Sequence, residues 1–336
     1  MQLDYHYYVI YHLARLAGFK RADAETIAYA SQYVDDATES EPIEPFPDQH
    51  FDTVRTAHYN LEAFDWNVQK KIYMPFHFLP NKIRWESPPD FSYITQPAHE
   101  DEAELASMLF KDACGENNWR FRLIRLGVAL HTVADTFAHF GFSGRHHDEN
   151  NVGRIWLAKD GGWELKILES YVADIFVPRI GHVEALEYPD WPYLTWRYTN
   201  NRGKKKLRNN LDYSLRGVRL IYHFLKTAKS PSTESTDLDD DHPGELNSIR
   251  KLLKRKGDLK RRCKRWKDYS SAPGYDRKKW RREALRGNVD WDYMSSSQMQ
   301  TLKKELKGKT GFDDSRWAYF HRAALKQRSL VTGWLN

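Results

Sequence analysis

The hydrophobic and polar positions of the chain follow the period of an α-helix over much of its first 230 residues. Apolar residues recur with helical spacing over residues 8–16, and this run stops at Gly18. Asp23 stands where an N-cap is expected and predicts a second helix through AETIAYASQYVDDA, as far as residue 38. Further helices are predicted over 102–113, 163–187 and 205–228.

The most apolar segment of the chain is WRFRLIRLGVALHTVADTFAHF, which predicts a helix that is buried on all sides. Residues 41–98 are rich in proline and aromatic residues without a clear period and are predicted to form long loops. We find no run with the alternation of a strand and no internal repeat. The pattern therefore predicts an all-α fold, a multi-helix bundle with long aromatic loops and a basic helical C-terminal extension.

Charge is distributed unevenly along the 336 residues, although the net charge is only +6. Residues 1–246 hold 27 Lys and Arg against 37 Asp and Glu, whereas residues 247–336 hold 25 against 9. The change follows KSPSTESTDLDDDHPGELNS, which lacks apolar periodicity and is typical of a linker or exposed loop. These features predict three parts, a helical domain over 1–228, an acidic Ser/Pro-rich linker over 229–246 and a basic helical extension over 247–336.

The basic run within residues 250–290 is interleaved with aromatic residues. Such a run can bind the phosphates of a nucleic acid or an anionic membrane surface, with Trp266, Trp280 or Trp291 stacking on bases. Alternatively, it docks on the acidic first part of the same chain.

The chain contains no apolar run near the roughly 20 residues that a transmembrane helix needs. Its first residues carry Asp4 and His6 where a secretion signal has a positive region, and its two cysteines form no disulfide framework. We therefore expect a cytoplasmic protein without a transmembrane segment.

The candidate chemistry centres on His131, Asp135 and His139 in the most apolar segment. In a helix, residues four apart differ by only about 40° in direction, so the three side chains share one stripe. A buried carboxylate between two imidazoles needs compensation, which a divalent cation such as zinc provides. The alternative is a hydrogen-bonded His–Asp–His ladder without metal.

Other metal ligands are expected on inward-facing positions elsewhere in the chain. Asp35 lies on the apolar face of the second predicted helix and is a candidate ligand or base, whereas Asp36 is a ligand or only a solvated neighbour. Three further histidines complete a possible multi-metal cluster, namely His6, His77 and His182, the last with Asp190 eight residues on.

The segment LGVALHTVADTFAHFG resembles the signature helix of the zinc-dependent phospholipase C and single-strand-specific nuclease superfamily. Its H-x3-D-x3-H spacing is most similar to that of glycosylphosphatidylinositol-specific phospholipase D. MQLDYHYYVIYHLARLAGF, ASQYVDDAT, PFHFLP and GFSG also resemble an uncharacterised bacterial family that is a distant branch of the superfamily. The resemblance covers roughly residues 1–200.

This resemblance implies an all-helical fold that holds up to three zinc ions and hydrolyses phosphodiesters or phosphomonoesters. The implied metal ligands are His6, Asp35 or Asp36, His77, His131, Asp135, His139, His182 and a late acid, Glu187 or Asp190. Exported members use the amine and carbonyl of an N-terminal Trp as ligands, whereas this chain begins with Met-Gln, so Asp4 replaces them or fewer metals bind.

The resulting hypothesis is a zinc-dependent hydrolase of phosphate esters, like a phosphodiesterase, a phospholipase C or a nuclease, with two or three zinc ions. Asp35 is the predicted catalytic residue, which bridges metals and orients or deprotonates the attacking water. The alternatives are a His-Asp-type phosphohydrolase built on His147 and Asp148, a non-catalytic module that binds nucleic acid or a partner and holds a structural metal or none, and an adaptor in a larger assembly.

Overall fold

The computed structural model describes residues 1–57, 62–81, 93–99, 104–166, 179–230, 236–292 and 296–335. A π-helical segment, Asp4–Val9, leads into the first α-helix, and a second one, Gln69–His77, follows the third. The α-helices are α1 (Ile10–Leu16), α2 (Arg21–Asp36), α3 (Trp66–Val68), α4 (Leu105–Cys114), α5 (Trp119–His139), α6 (Asn210–Lys229), α7 (Leu238–Asp241), α8 (Glu245–Lys254), α9 (Leu259–Ser270), α10 (Lys279–Ala284), α11 (Ser296–Glu305) and α12 (Arg316–Leu335).

Two antiparallel sheets accompany these helices. One has four strands in the order β2-β1-β3-β4, and the other has two, β5 and β6. The strands are β1 (Val152–Lys159), β2 (Gly162–Lys166), β3 (Thr195–Asn200), β4 (Lys205–Asn209), β5 (Leu285–Arg286) and β6 (Lys307–Gly308). The predicted all-α fold is therefore wrong, and the protein is mixed α/β.

The sheet also explains why two of the predicted helices are wrong at their beginnings. Gly162–Lys166 is a strand where a helix was predicted over 163–187, of which residues 167–178 lie outside the described part of the chain. Lys205–Asn209 is likewise a strand, so the helix predicted over 205–228 begins at Asn210.

Asp23 is not the N-cap of α2, because that helix already begins at Arg21. The loops predicted over 41–98 contain the helical segment formed by α3 and Gln69–His77.

Helix α5 lies at the centre of the helical layer and packs against α2, α4, α6 and α12. The close approach of α2 and α5 depends on Gly127, since a Cβ atom there would lie 2.3 Å from the carbonyl oxygen of Ile27. This approach brings the end of α2 next to the middle of α5.

The basic segment 247–336 shares a hydrophobic core with the helices of the first 228 residues. Leu238 and Leu246, in the predicted linker, are buried in the same core. Trp266, Trp280 and Trp291 are each at most 2% exposed, so the prediction that they stack on bases is wrong. Within the described ranges, no helix has the length and apolar character needed to cross a membrane.

Candidate metal centre

Five parts of the chain carry the candidate ligands. Helix α5 presents His131, Asp135 and His139 from one buried stripe. His6 and His77 lie in the two π-helical segments, a geometry that is rare in proteins and frequent at functional sites. The remaining ligands are Asp35 near the end of α2, and His182 and Asp190 in the connection before β3.

The first cluster forms around His131. Its Nε2 atom lies 3.3 Å from Asp135 Oδ2, 3.7 Å from Asp35 Oδ1 and 3.3 Å from His77 Nδ1. The His6 ring stacks on His131 with the ring centres 3.9 Å apart, and its Nε2 is 3.1 Å from Asp135 Oδ1. Two ligand sets share His131, one completed by His6 and Asp35 and the other by His77 and Asp135.

The second cluster joins His139, His182 and Asp190. His139 Nε2 lies 3.3 Å from Asp190 Oδ1, and His182 Nε2 lies 3.6 Å from Asp190 Oδ2. His139 also connects the two clusters, because its Nδ1 is 3.5 Å from Asp135 Oδ2. The structure therefore brings together seven of the eight predicted ligands, and Asp190 occupies the position of the late acid.

Backbone carbonyl groups determine which ring nitrogen carries a proton in three of the histidines. Nε2 of His77 lies 2.9 Å from the Thr56 oxygen, Nδ1 of His139 lies 2.7 Å from the His77 oxygen, and Nδ1 of His182 lies 2.8 Å from the Leu186 oxygen. A carbonyl oxygen only accepts, so each of these nitrogens carries a proton. Burial lowers the pKa of His182 to about 4, which keeps this ring neutral at pH 7.

When these rings are neutral, the other nitrogen of each ring is an acceptor that faces carboxylate oxygens. His77 Nδ1 is 3.4 Å from Asp135 Oδ2, and the nearest carboxylate oxygens to His139 Nε2 and His182 Nε2 belong to Asp190. A nitrogen lone pair and a carboxylate oxygen repel each other unless a hydrogen or a cation lies between them. A divalent cation would satisfy this donor set, as the Met1 ammonium group does in part beside His139 and Asp190, and the carbonyl partners orient the rings as in known metal sites.

The three carboxylates differ in their ionisation. Burial opposes the charge of Asp135, but His139, the Met1 ammonium group and His131 outweigh it and hold the pKa well below its usual range. The pKa of Asp190 is also held low against burial, chiefly by the Met1 ammonium group and His182. Asp35 behaves in the opposite way, since burial raises its pKa to about 8 despite the neighbouring His77.

The sequence analysis set aside the N-terminal amine as a ligand because the first residue is Met rather than Trp, but the structure places the α-amino group of Met1 in the site. Its nitrogen lies 2.6 Å from Asp135 Oδ1, 3.1 Å from Asp190 Oδ1 and 3.3 Å from His139 Nε2. Burial opposes its charge, but Asp135 and Asp190 raise its pKa to about 11. Asp4, one of the two alternatives considered in place of the N-terminal ligands, pairs instead with Arg262 at 3.4 Å.

Two acidic residues that were predicted as metal ligands, Asp36 and Glu187, make hydrogen bonds outside the ligand sets. Asp36 accepts a hydrogen bond of 2.6 Å from the Tyr275 hydroxyl, and it joins none of the ligand sets found among the described residues. Glu187 accepts hydrogen bonds from Gln2 at 3.2 Å and from Trp191 at 3.3 Å, which leaves the late position to Asp190.

The alternative site at His147 and Asp148 lies in an exposed turn. Asp148 begins a single 3-10 turn and pairs with Arg179 at 2.6 Å, with 69% of its side chain exposed. Neither residue belongs to a ligand set in the part of the chain that the structure describes. This geometry gives no support to the His-Asp-type phosphohydrolase.

The fold and the site together define a mixed α/β protein with a buried histidine–aspartate centre suited to divalent cations. Residues 1–335 match the Family of unknown function (DUF6765), and the chain belongs to this family. No curated protein and no solved structure matches the chain. The resemblance to the zinc-dependent superfamily therefore stays a prediction.

Proposed function

We propose that this protein is a zinc-dependent hydrolase of phosphate esters that acts in the cytoplasm. The observation that carries the proposal is the arrangement of His77, His139 and His182, in which one ring nitrogen donates to a backbone carbonyl and the other faces a carboxylate. Imidazole and carboxylate are the ordinary ligands of zinc outside thiolate sites. The resemblance of the α5 segment to the phospholipase C and nuclease superfamily supports the same metal and the same reaction class.

The ligands divide into sets for two or three ions. His77, His131 and Asp135 would hold one zinc ion, and His139, His182 and Asp190 would hold another. His6 and Asp35 would hold a third beside His131, which two of the sets share. When bound, such ions polarise a phosphate group and lower the pKa of a water molecule.

Asp35 is the residue that we assign to proton transfer. Its side chain is 27% exposed, whereas that of Asp135 is 2% exposed, so Asp35 is the carboxylate at the solvent side of the first cluster. Burial also raises its pKa to about 8, which makes its carboxylate form a stronger base than an ordinary aspartate. A group of this kind can accept the proton of an attacking water molecule and release it afterwards.

A second candidate function is a structural metal centre in a non-catalytic module. The observation that favours it is the burial of the first cluster, in which His6 and His131 are 0% exposed and His77 is 1% exposed. Structural zinc sites are closed to solvent, whereas catalytic sites keep a position for water or substrate. In that case the basic segment 250–290 would bind a nucleic acid or another anionic partner.

We expect zinc analysis of Asp135→Asn to separate these possibilities from a metal-free ladder. The wild-type protein, purified without chelators and with its affinity tag at the C-terminus, is expected to contain two or three zinc equivalents by elemental analysis. Asp135→Asn removes a charge shared by both clusters and should lose at least one equivalent. Asp36→Asn is the matched control. The Asp36 carboxylate accepts a hydrogen bond from Tyr275 and joins no ligand set among the described residues, so this variant should keep its zinc.

The same samples are assayed with bis(p-nitrophenyl) phosphate and p-nitrophenyl phosphate. The proposal predicts hydrolysis that a chelator abolishes and added zinc restores, and a loss of at least 100-fold in Asp35→Asn, of the order found for a general base. Retained zinc without hydrolysis of either ester would favour the structural centre. A folded wild-type protein that stays free of metal after zinc is added would overturn both candidates.

A further inference from the structure

The four-stranded sheet presents an unusual outer face. Its inner face carries Ile155, Trp196 and Tyr198, which are buried. The register places Leu165, Trp156, Arg197 and Leu207 in one row across the four strands, on the opposite face. Leu207 is 65% exposed, Leu165 is 46% exposed, and Trp163 beside this row is 39% exposed.

Two cations sit on the indole rings of this outer face. The guanidinium group of Arg197 lies 5.0 Å from the ring centre of Trp156 and 4.4 Å from that of Trp163. The Lys205 ammonium group lies 5.7 Å from the Trp156 ring, so both cations share one indole. Two like charges on one ring repel each other, and an anion between them would relieve that repulsion.

These cations lack carboxylate partners within the described part of the chain. No ion pair involves Arg197 or Lys205 there, and Arg197 Nε is buried without a hydrogen-bond partner. The neighbouring Lys204, just before β4, is also exposed. By contrast, Lys159 and Lys166 of the same sheet both pair with Glu164, at 2.5 and 2.8 Å.

We propose that this outer face docks on the surface of an anionic phospholipid bilayer. Leu165, Leu207 and Trp163 enter the boundary between headgroups and acyl chains, where tryptophan is enriched and exposed apolar side chains leave water. Arg197 and Lys205 bind the negatively charged headgroups, which attract basic residues near the membrane surface. The proposal concerns the sheet alone and does not depend on the metal centre.

The contacts favour a bilayer over the other occupants of such a face. Stacking of bases needs open indole faces, but Arg197 lies between the two indoles. Leu165 and Leu207 cannot stack on bases or bind phosphate, although they are strongly exposed. A second copy of the chain, paired through the same face, would bring Arg197 and Lys205 against identical positive charges.

The test is co-sedimentation of the full chain with vesicles of phosphatidylcholine alone and of phosphatidylcholine with 30% phosphatidylserine. We expect partitioning to the anionic vesicles to be at least tenfold stronger, and to weaken as salt is raised. Arg197→Gln with Lys205→Gln should weaken it about tenfold or more. Lys159→Gln with Lys166→Gln is the matched control, since it removes the same charge from cations that are already paired.

Leu165→Ser with Leu207→Ser tests the apolar contribution and should also weaken vesicle binding at least fivefold, although the net charge is unchanged. Circular dichroism and thermal unfolding confirm that each variant is folded. Equal binding to both vesicle types, or no binding to either, would overturn the proposal. It would also be overturned if the Lys159 and Lys166 substitutions weakened binding as much as the Arg197 and Lys205 substitutions. Binding of a single-stranded oligonucleotide that displaces the protein from vesicles and is lost in Trp163→Leu would also overturn it, in favour of a nucleic acid.

Discussion

His321 shows how a single buried side chain makes stability depend on pH. It lies in α12 with 0% exposure, and its Nδ1 accepts a hydrogen bond of 2.9 Å from the Val54 backbone amide. Burial lowers the pKa of His321 to about 4, even though Glu39 favours the charged form. In the unfolded chain the ordinary histidine pKa is about 6.5. Between these two values the unfolded chain binds more protons, so acid destabilises the folded protein in this window.

His321→Gln is therefore predicted to reduce the loss of stability between pH 7.5 and pH 5. The histidine accounts for a loss of about 2 kcal/mol over that interval, from its lowered pKa. The variant starts less stable at pH 7.5 because its packing changes, but its free energy of unfolding should fall less as acid is added. Urea unfolding at both pH values measures the difference. His50→Gln, at a side chain that is 66% exposed, should keep the wild-type dependence.

Among the elements, the contact between α2 and α5 decides the shape of the metal centre. A Cβ atom on Gly127 would lie 2.3 Å from the Ile27 oxygen and 2.6 Å from the Ala30 Cβ atom. The Ile27 oxygen is a backbone atom of α2 and the Ala30 Cβ atom is bonded directly to that backbone, so neither can turn aside and the two helices have to move apart. Their separation would move Asp35 away from His131, which are 3.7 Å apart across this contact.

Gly127→Ala is expected to destabilise the protein by about 1–3 kcal/mol through overpacking, against the higher helix propensity of alanine. Its zinc content should fall in the same measurement, because α2 carries Asp35. Gly115→Ala is the control, since a Cβ atom there would meet only ordinary contacts of 3.6 Å or more. Equal stability and zinc content in both variants would show that the centre tolerates a wider helix separation.

The same elements show what the sequence could predict. The α5 stripe was predictable because its titratable residues repeat every fourth position in an apolar segment that forms one long helix. The sheet was not, since β1 carries apolar side chains on both faces, Ile155 and Trp156, and β4 is mostly charged, which hides the alternation of strands. Asp35 could not be separated from Asp36 with certainty, because only the packed structure shows that Asp36 turns to Tyr275.

At the scale of the whole molecule, the acidic and basic parts of the chain meet in a buried ion pair. Arg281 of α10 and Glu39 are each 1% exposed and lie 2.6 Å apart. Arg281 also donates to the Tyr33 hydroxyl at 3.1 Å and to the Trp291 carbonyl at 2.7 Å. Surface attraction between opposite charges is therefore only part of what joins the two parts. Arg281, in the basic segment, also provides the cation and hydrogen-bond donors for Glu39 and Tyr33, which are buried in the core of the first part.

This arrangement predicts that the basic segment and the metal centre unfold together. Arg281→Met would leave Glu39 buried without its cation and should cost about 3–5 kcal/mol, with little dependence on salt because the pair is shielded from solvent. Arg282→Met is the control, because Arg282 is 49% exposed and the loss of its surface pair should change stability by less than about 1 kcal/mol.

Urea unfolding, followed by circular dichroism and by zinc release, makes the comparison. The two signals should change together in a single transition at lower urea in Arg281→Met. The reason lies in α12, where Gln327 donates hydrogen bonds of 2.8 Å to Thr132 of α5 and 2.9 Å to the carbonyl of Pro75, two residues before His77. Release of α12 would thus free both elements that hold the first cluster. A separate early transition that leaves zinc bound would instead mean that residues 247–336 unfold as an independent unit.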